Sequence, residues 1–105
     1  MIARVEFHEA ARDEFREAAR WYEDEREGLG REFLVAVEAA LERAVRDAGR
    51  VLAGGRRGKR KLVLRRFPYV LHADMVDAGL FVWAVAHCRR RPGYWRERSR
   101  PQDLP

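Results

Sequence analysis

Residues 64–98 read LRRFPYVLHADMVDAGLFVWAVAHCRRRPGYWRER, and the order of features along them decides the architecture. Two apolar runs, 69–75 and 80–87, flank Val76-Asp77-Ala78-Gly79, a turn signal, so they predict two strands joined tightly enough to lie antiparallel. The first run alternates. The second is apolar on both faces, as a central strand covered on each side would be. Pro68 has no N–H to give a ladder and fits a strand start. Beyond the second run come Arg89, Arg90 and Arg91, then Pro92 and Gly93, then Tyr94 and Trp95: an arginine cluster mixed with aromatics.

Working towards the N-terminus, Leu62 and Leu64 alternate with Lys61, Val63 and Arg65 and predict one more strand. Residues 49–61 combine glycines with cations and read as a solvated, mobile loop, with Gly49 ending the helix before it. That helix is expected over residues 31–47, its apolar stripe made by Leu29, Phe33, Val37, Leu41, Ala44 and Ala48. A first helix over residues 9–25 carries Ala11, Phe15, Ala18 and Tyr22 on one face and Asp13, Arg16, Glu17 and Arg20 on the other. Gly28 and Gly30 supply the stop and turn between them, and so short a link makes an antiparallel helical hairpin. Val5 and Phe7 alternate with Arg4 and Glu6 as a brief strand over residues 3–7. The expected order is β-α-α-β-β-β, an α+β domain: N-terminal strand, antiparallel helical hairpin, then a three-stranded antiparallel sheet. Residues 1–98 form one domain, and 99–105 are expected to be a flexible tail.

Charge is distributed unevenly along the chain. Residues 1–50 hold 9 Lys plus Arg against 13 Asp plus Glu, a net of −4, whereas residues 51–105 hold 13 against 4, a net of +9. A basic half of this kind attracts an anionic partner, nucleic acid or an acidic protein segment, over a Debye length of about 8 Å in physiological salt. The single cysteine, Cys88, excludes an internal disulfide and a Cys-rich zinc site, and fits a reducing cytosol. No apolar run approaches the roughly 20 residues of a membrane span, and acidic residues stand near the N-terminus where a signal peptide would have an apolar core. A cytoplasmic protein without membrane contact is expected. His8, His72 and His87 lack metal-ligand spacing, so neither a metal nor another cofactor is expected.

At this point the residues carry a family. The phrase AARWYE at residues 18–23 with GLG at 28–30 and Phe33, the phrase RRFPYVLHA at 65–73, and AVAH at 84–87 followed by RRRPGYWRER at 89–98 resemble the RelE/ParE superfamily of toxins, in its ParE-like plasmid-stabilisation branch. The likeness covers about residues 3–98. It implies a helical hairpin packed on a twisted, mostly antiparallel sheet. It also implies a type II toxin–antitoxin role, in which a growth-inhibiting toxin is held inactive by a cognate antitoxin.

Two mechanisms divide that superfamily. RelE-like members are ribosome-dependent endoribonucleases that drive a 2′-OH of mRNA onto the adjacent phosphate. This chemistry needs a proton acceptor, a donor and cations on the phosphate. By resemblance, Lys59 and Lys61 match their paired lysines, Tyr94 matches their C-terminal tyrosine and Arg90 matches less closely, giving Lys61, Arg90 and Tyr94 as the catalytic set if the chain is a ribonuclease. Two expected arginines are replaced by Val70 and Cys88. Each missing phosphate contact costs about 2–4 kcal/mol of transition-state stabilisation, roughly 100-fold or more in rate. The ParE-like branch, which binds DNA gyrase and traps it on cleaved DNA without being a nuclease, is therefore the expected one.

On either mechanism the target or partner surface is expected to comprise Lys59, Lys61, Arg65, Arg66, Arg89, Arg90, Arg91, Tyr94 and Trp95. Several of these residues also have plainer readings. The arginine run either meets an acidic or phosphate partner or is a solvated face. Tyr94 and Trp95 either stack on a partner or lock the C-terminal segment onto the sheet. His87 is either a general base or structural, structural being the commoner case at a strand end. Cys88 is expected to be buried as a small hydrophobe, and Trp21 and Tyr22 to cap the core.

Overall fold

The structure is a computed structural model and describes residues 4–52, 58–76 and 79–99. Its elements are β1 (Val5–Phe7), α1 (Glu9–Glu25), α2 (Leu29–Leu52), β2 (Lys59–Val63), β3 (Tyr69–Val76) and β4 (Gly79–His87). The expected order and the α+β class are both present. The sheet runs β1-β4-β3-β2. Strands β2, β3 and β4 pair antiparallel, as expected, but β1 joins them as a fourth strand parallel to β4, so the sheet is mixed. Parallel neighbours need a long connection, and the hairpin helices with β2 and β3 provide it.

The helical hairpin turns at Gly28, whose φ of 88° is open to glycine and strained for other residues. The Glu23 carboxylate accepts the backbone N–H groups of Gly28, at 3.0 Å, and Gly30, at 3.0 Å. It thereby satisfies N–H groups at the start of α2 that have no partner within the helix, and places negative charge at the positive end of the helix dipole. This is why α2 starts at Leu29, two residues earlier than the spacing predicts. Gly30 is thus not part of the turn. It lies inside α2, where a Cβ would stand 2.6 Å from the carbonyl oxygen of Ala19, so its bareness lets α1 and α2 approach. Gly49 does not end the helix either. An interior glycine costs only about 1 kcal/mol, too little to stop a helix already propagating, and α2 continues to Leu52.

The expected loop shortens from its C-terminal side, because Lys59, Arg60 and Lys61 are already strand. Its centre, residues 53–57, lies outside the described residues, as do Asp77 and Ala78 of the turn signal and residues 100–105 of the tail.

The core lies between the hairpin and one face of the sheet. Phe33 is wholly buried, with Tyr22, Phe67 and Tyr69 around it at ring separations of 5.3, 5.2 and 5.1 Å. Only Tyr22 of the expected capping pair is buried. Trp21, about 100° round the helix from it, is 58% exposed. In β4, Val82 pairs with Ala73 and Ala84 with His72, leaving Trp83 as a bulge residue. That extra residue resets the alternation, so Leu80, Val82 and Val85 all join the helix-side core. Among the described residues no helix is long and apolar enough to cross a membrane.

Candidate functional site

After β4 the chain folds back on itself in successive turns. Cys88 N–H donates to the Pro68 carbonyl at 2.8 Å, Arg89 N–H to Nδ1 of His87 at 3.0 Å and Arg90 N–H to the His87 carbonyl at 2.9 Å. Gly93, at φ 75°, permits the next reversal, after which Arg96 N–H donates to the Gly93 carbonyl at 3.0 Å. His87 thus shapes the turn, the structural role of its two readings.

One carboxylate anchors the far end of this segment. Glu14 of α1 accepts the Tyr94 hydroxyl at 2.7 Å and both terminal nitrogens of Arg98, at 3.0 and 2.8 Å. It also accepts the backbone N–H of Val85 at 3.1 Å, while Arg98 donates to the Trp83 carbonyl at 2.8 Å. The last two bonds have a clear cause. Strand β1 covers β4 only at residues 80–82, and the two side chains satisfy backbone groups on the stretch of β4 edge that β1 leaves bare. Burial pushes the Glu14 carboxyl upward, but donation from Arg98, Tyr94 and Val85 outweighs it and holds the group below the usual carboxylate range. Burial and the bond to Glu14 together drive the Tyr94 phenol well above its ordinary value.

Between the folded-back segment and the outer face of the sheet lies a cleft of about 340 Å³. Four cations line it: Lys61 from β2 and Arg90, Arg91 and Arg96 from the C-terminal segment. No carboxylate does. His72 also lines it, its ring stacked on Trp95 at 4.8 Å. Burial first, then Lys61 and Arg96, lower the pKa of that imidazole, which keeps it neutral where a free histidine would already be charging. Cations gathered round a cleft with an aromatic wall can hold an anion or a strip of phosphates.

Of the nine expected surface residues, five line this cleft: Lys61, Arg90, Arg91, Tyr94 and Trp95. Tyr94 and Trp95 are half-buried and lock the segment down, and the Arg90 guanidinium covers the Tyr94 ring at 4.1 Å. The other four lie elsewhere. Lys59 is exposed one residue pair further along β2, Arg65 is exposed beyond that strand's end, and Arg89 is exposed in the turn. Arg66 belongs to a different cluster: with Arg26 it ion-pairs to Glu32 of α2, and these two guanidinium bonds hold the Glu32 carboxyl below its usual range. Cys88 is exposed and lines the cleft together with Val70. The expectation that it is buried fails because the strand ends at His87, and the following residue turns outward.

Glu14, His72 and Arg98 were not among the expected site residues. Glu14 had a readable signal: it stands three residues after Ala11 and four before Ala18, a lone carboxylate within the apolar stripe of α1. Arg98 had none, because its partner is 84 residues away. A second cleft, of about 250 Å³, lies on the helix side of the segment and is lined by Glu17, Trp21 and Tyr69, with His87, Arg90 and Tyr94 forming the wall shared with the first. Among the described residues no group of three or more His, Cys, Asp or Glu could hold a metal ion. No family model matches the chain, and neither a curated protein nor a solved structure does.

Proposed function

We propose that the chain is a ParE-like toxin of a type II toxin–antitoxin module, with a RelE/ParE-like fold, that acts in the cytoplasm by trapping DNA gyrase on cleaved DNA and is neutralised by a cognate antitoxin. The family and the target come from the resemblance of residues 18–33, 65–73 and 84–98. The observation that carries the choice of a binding mechanism over a catalytic one is the state of Tyr94. Its hydroxyl donates to Glu14 at 2.7 Å, and burial together with that bond holds its proton more tightly than in a free phenol. Val70 and Cys88 line the cleft where the nuclease would have arginines, and neither side chain holds a phosphate at neutral pH as an arginine would. The described cleft is then a cationic surface whose phenol is tied to a carboxylate, suited to gripping an acidic protein segment or a nucleic-acid backbone. Purified chain added to gyrase and supercoiled plasmid should stabilise cleavage complexes; folded chain that leaves the plasmid uncut contradicts the proposal.

A second reading has one observation in its favour: Lys61, Arg90 and Tyr94, far apart in sequence, line a single cleft. They are the set a RelE-like, ribosome-dependent mRNA endoribonuclease would use. Primer extension on ribosome-bound mRNA separates the two readings. Cleavage abolished by Tyr94→Phe supports the nuclease, and intact mRNA in growth-arrested cells removes it.

A further inference from the structure

The sheet has two open edges, and the fold treats them differently. At the β1 side the edge strand is only three residues long, and the bare stretch of β4 beyond it is closed by Glu14 and Arg98. Short or covered edges are the usual defence against stray pairing. The β2 edge is longer, at five residues, and among the described residues no backbone group pairs with it. Leu64 N–H donates to the Tyr69 carbonyl and Met75 N–H to the Gly58 carbonyl, which sets the phase of the ladder: Arg60 and Leu62 exchange bonds with β3, while the backbone groups of Lys59, Lys61 and Val63 point outward. Among the described residues no backbone group bonds to them, and the one side chain that does is Arg60, which donates to the Lys59 carbonyl at 3.3 Å. Val63 is 56% exposed on this edge.

We infer that the outer edge of β2 accepts an acidic extended segment of a partner protein as a fifth, antiparallel strand. Charge complementarity selects this occupant. A second copy of the chain paired antiparallel about Arg60 would set Lys59 against Lys61 and Arg60 against itself, and paired about Lys61 would still set that lysine against itself; like charges directly opposite are destabilising. An acidic strand meets the same side chains favourably. Lys59, Lys61 and Val63 share one face of β2, so an antiparallel partner presents, from its N-terminus, an apolar residue to Val63 and then acidic residues to Lys61 and Lys59 at every second position. Lys61 also lines the cationic cleft, so an occupied edge continues that surface. Where the chain is the toxin proposed above, the segment belongs to its antitoxin. That assignment rests on the proposed function; the docking itself does not.

The test uses the full chain and a capped peptide, Thr-Val-Thr-Glu-Thr-Glu-Thr, with amide hydrogen exchange followed by NMR. Slowed exchange at the N–H groups of Lys59, Lys61 and Val63 is expected. Affinity should fall about tenfold or more when both glutamates are replaced by lysine, and again when the valine and both glutamates are N-methylated, since each change removes two or more contacts. Three results would overturn the inference: equal affinity for the lysine peptide, undiminished binding of the N-methylated peptide, or protection confined to residues 90–96. None of these bears on growth arrest or gyrase, so a failed docking is distinguishable from a failed function.

Discussion

A single carboxylate on α1 ties the first helix to the last turn of the chain. Glu14 and Arg98 are each less than one-fifth exposed, and their bond is bidentate, so removing one partner leaves the other poorly solvated. Glu14→Gln is expected to destabilise the fold by about 2–3 kcal/mol, measured by denaturant unfolding. Tyr94→Phe removes one donor and should cost about 1–2 kcal/mol. The pair should be non-additive in a double-mutant cycle, because both changes break the same hydrogen bond. On the proposed binding mechanism Tyr94→Phe still arrests growth.

The acid limb of stability should have two steps. His72 has a lowered pKa in the fold, so the unfolded chain takes up a proton, near its ordinary value of about 6.5, that the native state refuses. Stability is therefore full above that pH and declines below it. Glu14 also has a lowered pKa; its contribution is present above its unfolded value of about 4.3 and disappears as pH falls through the folded one. Urea unfolding as a function of pH checks both. His72→Phe, which keeps a ring for Trp95 to stack on, should flatten the curve between about pH 5 and 7 and leave the lower step in place.

Among the elements, the helical hairpin depends on a close approach that one glycine permits. Gly30→Ala would put a methyl 2.6 Å from the Ala19 carbonyl oxygen and crowd the Glu23 carboxylate that binds the start of α2. Overpacking of this kind costs about 1–3 kcal/mol, although alanine is the better helix former, so a lowered melting temperature is expected. Ser or Thr would do no better, because each brings the same Cβ against the same backbone carbonyl. The same residue illustrates what could be read beforehand. Periodicity located both helices and all four strands, because apolar residues at 3.6 and 2.0 spacing report burial directly. It misassigned Gly30 and Gly49, because a glycine looks alike in a turn, in a helix interior or under another backbone. The parallel seat of β1 and the bulge at Trp83 were illegible for a related reason: pairing partners and register are long-range properties. Within the cleft, Lys61, Arg90, Arg91, Tyr94 and Trp95 were legible as a basic and aromatic set, whereas Glu14 and Arg98 meet only once the chain has folded.

At the scale of the molecule, the acidic half of the chain supplies the helical hairpin, and the basic half supplies the cations that line the cleft. Its cations divide by role. Arg98 and Arg66 hold structure together, and Lys61, Arg90, Arg91 and Arg96 surround the cleft. Charge reversal at Arg90 and Arg91, two exposed residues, should leave the chain folded, at a cost of about 0.5–1 kcal/mol for the Arg90 contact with the Tyr94 ring and less at Arg91, and should weaken binding of any anionic partner. Because a partner held by these charges is screened by salt, its affinity should fall as ionic strength rises, and an affinity indifferent to salt would remove the cleft from the contact. On the proposed function this surface grips gyrase and performs no cleavage itself. The decisive experiment incubates gyrase and supercoiled plasmid with the purified chain and with the Arg90→Glu, Arg91→Glu variant, then measures trapped linear DNA after denaturation. Linear DNA that accumulates with the parent and is lost with the variant is the expected result; no linear DNA with either, from chain shown to be folded, would contradict it.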